Sequence, residues 1–444
     1  MNSINRTKSL YFSFLDGIFA SIMMGFTLNY VIPFALVLGA NNVQIGILNA
    51  LPQLFGSIIH LKAADIVEYT KSRLKVITLF VFLQSVSYLL ILSLLFITSQ
   101  QHILWFIALT TLSSIFSSIV GSVWLSLMSD TVEKDKYGEY FAWRGKVLGI
   151  INLFASFLAG FFLGIIENKF YGFIILFFLA GIARIISGYF ISKMEDIPVA
   201  VTPDEKFSYV EFIRRFKESN FVKYVLFVSL FSFAVSIATP FFNVYMLKEL
   251  GMSYYEYTVV TLSAAVSGLF LLPFWGRAAD KIGNAKVVKV TGLLICFLPI
   301  LWIFSKNLIY LILINIFGGY VWAGFNLAVV NFIFDAASQK VRTRCVSYFN
   351  FTNGMFIFLG TLLSGWLATH IPSLINSSKL LTLFFISGIS RLIIVLYFRS
   401  KFYEVRNVEH IDSKEFLFTV LGVKPVMDFS KSVLYPLRKV LNHK

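Results

Sequence analysis

Charge is scarce in this chain: only 14% of its 444 residues are Asp, Glu, Lys or Arg, against roughly 25% in a soluble domain. Apolar residues make up 57% and mean hydropathy is +0.78. Apolar side chains therefore run all round each element, which excludes a water-soluble globule. Cysteine is almost missing. Cys296 and Cys345 stand far apart, which excludes a disulfide framework and a cysteine metal site. Acidic residues are the scarcer sign, 23 against 38 basic, for a net charge of +15. Such a surplus can serve nucleic-acid binding. Here the basic residues sit in short loops between apolar runs, so no nucleic-acid partner is expected. H-E-x-x-H, Walker and paired-acid patterns are absent too. The chain therefore reads as no enzyme, with no cofactor and no metal.

Aromatic residues are abundant. The 49 Phe and 20 Tyr suit helices that pack in lipid and anchor at its interfaces. A bilayer crossing takes about 20 apolar residues. Segments of that length recur twelve times, at 11–38, 43–62, 74–98, 102–129, 141–166, 170–193, 221–247, 256–277, 285–305, 307–334, 344–369 and 379–400. The first begins like a signal peptide. Asp16 interrupts its apolar run and no A-x-A site follows, so it reads as a retained span. Of the 38 Lys and Arg, 32 fall on one side of the spans. Lys169, Lys248, Lys306 and Lys379 fall on the other, and Arg184 and Arg391 lie within spans. By the positive-inside rule both termini face the cytoplasm, in a multi-pass protein of the cytoplasmic (inner) membrane.

One connection is long and polar, MEDIPVAVTPDEKFSYVEFIRRFKESN at 194–220. It divides a first six-span bundle (1–195) from a second (221–401), with 196–220 as the linker and 402–444 as a basic tail. The tail is amphipathic in parts. It is expected either on the anionic membrane surface or free in water.

The two halves repeat each other. FFLAGIARIISGYFISK (177–193) aligns with FFISGISRLIIVLYFRSK (384–401), pairing Gly181 with Gly388 and Arg184 with Arg391. WLSLMSDTVEKDKYGEYFAWR against VVNFIFDAASQKVRTRCVSYF sets Asp130 opposite Asp335. KAADIVEYTKSRLKVI against RAADKIGNAKVVKV sets Asp65 opposite Asp280, and LGANNVQIGIL matches LGMSYYEYTVV. Four matches in one order imply a parallel duplication. The expected fold is all-α and integral to the membrane, with two pseudo-symmetric six-helix bundles. Such halves hold a solute near the midplane between them and alternate access by rocking.

The segment WGRAADKIGNAKVVK after the eighth span resembles the cytoplasmic loop signature of the major facilitator superfamily, roughly G-x-x-x-D-x-x-G-x-[RK]. Gly276, Asp280, Gly283 and Lys286 hold its places, with Arg277 beside the first glycine. The first-half copy keeps Asp65, Lys71 and Arg73 but has Leu61 and Glu68 where glycines are expected, which puts its turn in doubt. In length, duplication and topology the resemblance spans the whole chain. It implies a secondary active or facilitative transporter of a small organic solute, working as a monomer by rocker-switch alternating access. A lipid flippase or a non-transporting sensor on the same fold is the alternative. The resemblance also implies that Asp280 faces the start of the fifth span, near Gly138 and Phe141, and that Asp65 faces Arg344. Each carboxylate would meet the positive end of a helix in the other half and latch the cytoplasmic side shut. Solute, lipid and a coupling proton or cation are the implied partners.

Ionisable residues at or within the spans are Asp16, His60, Asp130, Arg184, Asp335 and Arg391. They are costly in lipid and so are candidates for function. Arg184 and Arg391 read either as structural, paired with Asp130 and Asp335, or as sites for a substrate anion. Spans 1, 4, 7 and 10 lack a mid-depth carboxylate, which argues against simple proton symport but leaves Asp16 and His60 open to it. The expected cavity draws on Asn29, Tyr30, Asn49, Gln53, Trp124, Asn152, Thr239, Asn243, Tyr245, Trp322, Asn326, Asn350 and Asn353. An unpaired amide in hydrocarbon costs several kcal/mol, so these amides face partner helices or a wet cavity. Such a cavity suits a sugar, a nucleoside-like compound or a drug-like hydrophobe rather than a multiply charged phosphate ester.

Overall fold

The computed structural model describes residues 3–133, 136–197, 209–214, 219–336 and 342–406; the side chains of 3–4, 60, 63–69 and 342–343 lie outside that description. The expectations for His60, for Asp65 and for the tail beyond 406 therefore fall outside it.

Among the described residues the chain is helical, with no β-strand. The first half holds α1 (Ser3–Thr27), α2 (Val31–Val37), α3 (Asn42–Thr70), α4 (Arg73–Leu89), α5 (His102–Thr131), α6 (Tyr137–Ile165) and α7 (Lys169–Ile191). A short α8 (Tyr209–Arg214) lies in the connection. The second half holds α9 (Asn220–Ser236), α10 (Thr239–Val244), α11 (Tyr254–Ile282), α12 (Asn284–Leu301), α13 (Leu308–Ala336), α14 (Arg342–His370) and α15 (Lys379–Phe398). Counting α1 with α2 and α9 with α10, eleven spans are long and apolar enough to cross a bilayer. The twelfth, α3, has the length, but Asn42, Gln44, Asn49 and Gln53 dilute its hydropathy.

The duplication is visible in the packing. In the first half α1 packs on α6 and α7, and α4 on α5 and α7; in the second α9 packs on α14 and α15, and α12 on α13 and α15. The paired glycines make the same kind of contact. A Cβ on Gly181 would come within 2.8 Å of Leu89, and one on Gly388 within 2.8 Å of Ile300. Small residues let these helix backbones approach, the usual means of packing in lipid. The two halves meet along α3 with α14 and α6 with α11.

Helix starts follow local chemistry. Ser72, Asn168, Ser219 and Ser378 each cap a first turn by accepting from a backbone N–H. Ser253 and Glu256 form a capping box at the start of α11. Between α11 and α12 the chain turns on Gly283 at φ +86°, a conformation only glycine adopts freely.

The apolar core is unevenly divided. One cluster lies at the end of the bundle where spans 1 and 2, 5 and 6, and 11 and 12 connect, here called the far end. It joins Tyr30, Phe34, Phe106 and Phe177 of the first half to Phe241, Tyr257, Leu381 and Phe384 of the second. At the opposite, basic end the core is split in two. Val76, Ile77, Leu127, Met128 and Ile191 pack within the first half, and Tyr224, Phe227, Trp275, Phe332 and Phe402 within the second. Leu61 of α3 packs against the second cluster.

Candidate functional site

The far end is closed by bonds between the halves. Pro33 lacks an N–H, so the carbonyl of Asn29, four residues earlier, has no helical donor. The Tyr257 hydroxyl from the other half lies 2.6 Å from that oxygen and 3.2 Å from Asn243 Oδ1. Tyr30, fully buried, donates to the Ser156 carbonyl at 2.5 Å and lies 3.0 Å from Thr258 Oγ1 across the interface. Asn42 Nδ2 donates to the Ala368 carbonyl at 3.1 Å, and Lys248 Nζ to the Ala40 carbonyl at 3.4 Å. α3 and α14 touch nearly backbone to backbone there. A Cβ on Gly46 would stand 2.9 Å from the Gly365 Cα.

At the basic end several described charges pair within their own half. Arg73, buried, meets Asp130 at 2.6 Å, and Arg6 meets Glu133 at 2.9 Å. The Glu133 carboxyl lies below its ordinary range because Lys136 and Arg6 donate to it. In the second half Asn284 Nδ2 donates to Asp335 at 2.7 Å, and Arg406 lies 3.7 Å from Asp280 and 4.0 Å from Asp335. An acid after each half's last span caps the start of its third. Asp196 accepts from the Ser72 hydroxyl and from Leu74 N, and Glu404 accepts from Ala285 N at 2.8 Å. Carboxylates suit such positive helix starts. Sequence reading missed Asp196 and Glu404; their parallel positions just past spans 6 and 12 were the available signal.

Three cavities between these ends take in expected residues. The largest of the three, about 1060 Å³, runs along α6, α9, α10, α11, α12 and α13. Thr239, Asn243, Trp322 and Asn326 line it as expected residues, with Asn152. Asn315, Asn331 and Arg391 also line it. A second cavity of about 450 Å³ gathers Gln53, Asn350 and Asn353 with Ser114, Ser117, Ser118 and Ser122. A third of about 320 Å³ holds Trp124, Asp16 and Arg184 with Arg144, Gln84 and Tyr88. Trp124 Nε1 and Asn353 Oδ1 are buried in these walls without a hydrogen-bond partner among the described residues. Four expected residues line none of the three. Asn29 and Tyr30 serve the far-end closure. Asn49 Nδ2 donates to Ile45 O of its own helix at 2.9 Å, and Tyr245 packs on Trp302 and Phe384.

The expected partners of the two buried arginines differ from those observed. Asp130 belongs to Arg73 and Asp335 to Asn284, because both acids sit at the basic end, beyond reach of a mid-span guanidinium. Arg184 lies 4.0 Å from Asp16 and donates to Gln84 Oε1 at 2.8 Å and Ser187 Oγ at 2.9 Å. Ser187 in turn donates to Asp16 at 2.5 Å. Arg144 lies 3.9 Å from the other Asp16 oxygen, with its guanidinium 4.4 Å over Trp124. Arg144 falls inside the span expected at 141–166 and was not among the residues expected to act there. Among the described residues Arg391 donates to neutral groups only, namely Ser387 Oγ (3.1 Å), Ile295 O (3.1 Å) and Val235 O (3.4 Å). Ile295 O is free because Pro299, four residues on, has no N–H. Val235 O, at the break between α9 and α10, also accepts from Ala238 N at 3.1 Å and from Thr239 Oγ1 at 2.9 Å.

A family model described as Major Facilitator Superfamily matches this chain twice, over residues 14–267 and 224–435. The chain belongs to the major facilitator superfamily. A lactose permease from Klebsiella pneumoniae is 31% identical over 114 residues, which is 25% of this chain and 84% of that protein. The nucleoside transporter NupG has the same fold, with TM-score 0.67 at 13% identity over 90% of this chain and 99% of that one. A bacterial homologue of the human lysosomal transporter Spinster, solved inward-facing and unoccupied, gives 0.65 at 14% identity over 95% and 98%. The chain is a transporter of this superfamily and not an enzyme.

The superfamily motif is more helical than expected. Gly276, Arg277 and Asp280 ride the last turns of α11, and only Gly283 forms the turn. A Cβ on Gly283 would meet the Glu404 carboxylate. Arg277 stacks on Phe274 at 5.1 Å, and Lys286 is exposed on α12. Asp280 meets Arg406 of its own half at 3.7 Å, not the expected Gly138 or Phe141.

Proposed function

We propose that this transporter carries a small organic solute across the cytoplasmic membrane by alternating access. Residues 1–195 and 221–401 act as the two rocking bodies, 196–220 as the strap between them, and both termini face the cytoplasm. The observation that carries this reading is the unequal division of the core, one cluster across both halves at the far end and two at the basic end. Closed outside and parted inside, the molecule offers its cavities to the cytoplasm. Asp280 is then free to meet the start of α6 when the halves rock the other way. Thr239, Asn243, Trp322 and Asn326 contact the solute, with Asn152 and Asn315. Their amides and rings suit an organic molecule with hydrogen-bonding groups on an apolar frame.

Reconstituted, monomeric protein in ATP-free vesicles tests this. Uptake of at least one of a panel of labelled sugars, nucleosides and organic acids is expected, saturable and slowed by Asn243→Ala. Vesicles that move none of them under any ion gradient would overturn the reading.

A further inference from the structure

The repeat places Arg184 and Arg391 identically, yet among the described residues only Arg184 has a counter-ion. Arg184 has Asp16. Arg391, 2% exposed, has no carboxylate partner among the described residues. Its three acceptors are neutral, and its remaining N–H groups have no recipient there. Capping freed carbonyls explains a donor at this position but not a full charge. A buried cation without a partner is costly, and in lipid such residues mark solute pathways. Arg391 is also part of the wall of the largest cavity, with Thr239, Asn243 and Asn315 nearby in the same lining. Among the described residues that line these three cavities, the charged ones are Arg144, Arg184 and Arg391 against Asp16 alone.

From the missing counter-ion we infer that the solute is an organic monoanion, a carboxylate in the simplest case, whose charged group seats on Arg391. The apolar frame of the solute lies against Trp322 and Leu298, and its hydrogen-bonding groups meet the cavity amides. A carboxylate supplies the charge that Asp16 supplies in the first half, and a guanidinium holds it bidentately. This inference rests on the transporter reading and narrows its substrate class. A multiply charged ester has only this one arginine in the large cavity to receive it.

Matched ligands test it on the purified full-length chain. Thermal unfolding is followed with a series of monocarboxylates from acetate to phenylacetate, each beside its own amide, at constant chloride and ionic strength. A ligand that binds the native state raises the unfolding temperature by mass action. At least one acid is expected to stabilise the wild type where its amide does not. Arg391→Gln should weaken that acid's apparent Kd by tenfold or more, while Arg391→Lys keeps the preference for acid over amide at lower affinity. If Arg391→Gln fails to fold, Arg391→Lys and the wild-type acid–amide pairs still decide. Equal response to every acid and its amide, no response to any acid, or an unchanged Arg391→Gln would each overturn the proposal. So would stabilisation by phosphatidylglycerol alone, which would make the site a lipid site. Flux of a neutral sugar or nucleoside that no carboxylate inhibits would sink the monoanion and leave the transporter reading intact. Absence of all flux would instead remove that reading.

Discussion

In the first half, Arg184 and Arg144 share the Asp16 carboxylate at 4.0 and 3.9 Å, with Ser187 and Gln84 completing the set. In the second half, Arg391 occupies the repeated position and holds two carbonyls and a hydroxyl. The helix packing around both is the same, down to Gly181 and Gly388. Duplication therefore preserved the shape of the arginine site while its charge balance diverged. One copy became a closed ionic cluster, and the other kept its charge toward the cavity. The basic rim diverged as well. Arg73 neutralises Asp130 directly, whereas Asn284 stands at the matching helix start and Arg406 arrives from beyond the last span.

The sharpest way to break this comparison is Asp16→Asn. It leaves the buried Arg184 and the partly buried Arg144 without their carboxylate and should cost about 3–5 kcal/mol, read by SDS-titrated unfolding. A loss no larger than that of a rim substitution would mean the cluster contributes little. Next in size is Gly365→Val at the far-end contact, where overpacking costs about 1–3 kcal/mol. Because only the far-end closure is strained, the population with an open far end should rise, as labelling of Ala40→Cys would register. Tyr257→Phe removes one bond between the halves, worth about 0.5–1.5 kcal/mol, and should move the same labelling in the same direction by less. Glu404→Gln weakens the charge at the start of α12 by about 0.3–1 kcal/mol and should leave far-end labelling unchanged.

The smallest effect is a pH dependence at Glu133. Lys136 and Arg6 hold its carboxyl below the ordinary range. Its contribution is therefore present above the unfolded-state value and fades as pH falls through the lower, folded value. The unfolding-temperature difference between wild type and Glu133→Gln should be small near neutral pH and vanish in acid. A difference that grows on acidification would contradict that sign.

Much of the fold was legible because hydropathy and loop charge act locally along the chain. The spans expected at 170–193 and 379–400 match α7 and α15 within a few residues. The repeat of Gly181 and Arg184 at Gly388 and Arg391 is written in the residues themselves. The site was only partly legible. Thr239, Asn243, Trp322 and Asn326 reach the main cavity, whereas Tyr30 and Asn49 are spent on other bonds. Nothing local separates these groups, since helix azimuth decides which amide faces a void and which faces its own backbone. Arg144 was passed over for a related reason: a basic residue near a span end looks like a loop charge until a carboxylate from another helix lies beside it.

By itself, then, the sequence determined the membrane setting, the twelve crossings, their duplication and the superfamily, because each follows from composition or from order along one chain. Tertiary structure alone decided that Asp16 serves Arg184 and Arg144, that Pro33 and Pro299 expose carbonyls for Tyr257 and Arg391, and that one core divides into two toward the basic end. Those facts depend on distances between residues from 96 to 228 positions apart, which helix packing sets and no local pattern encodes.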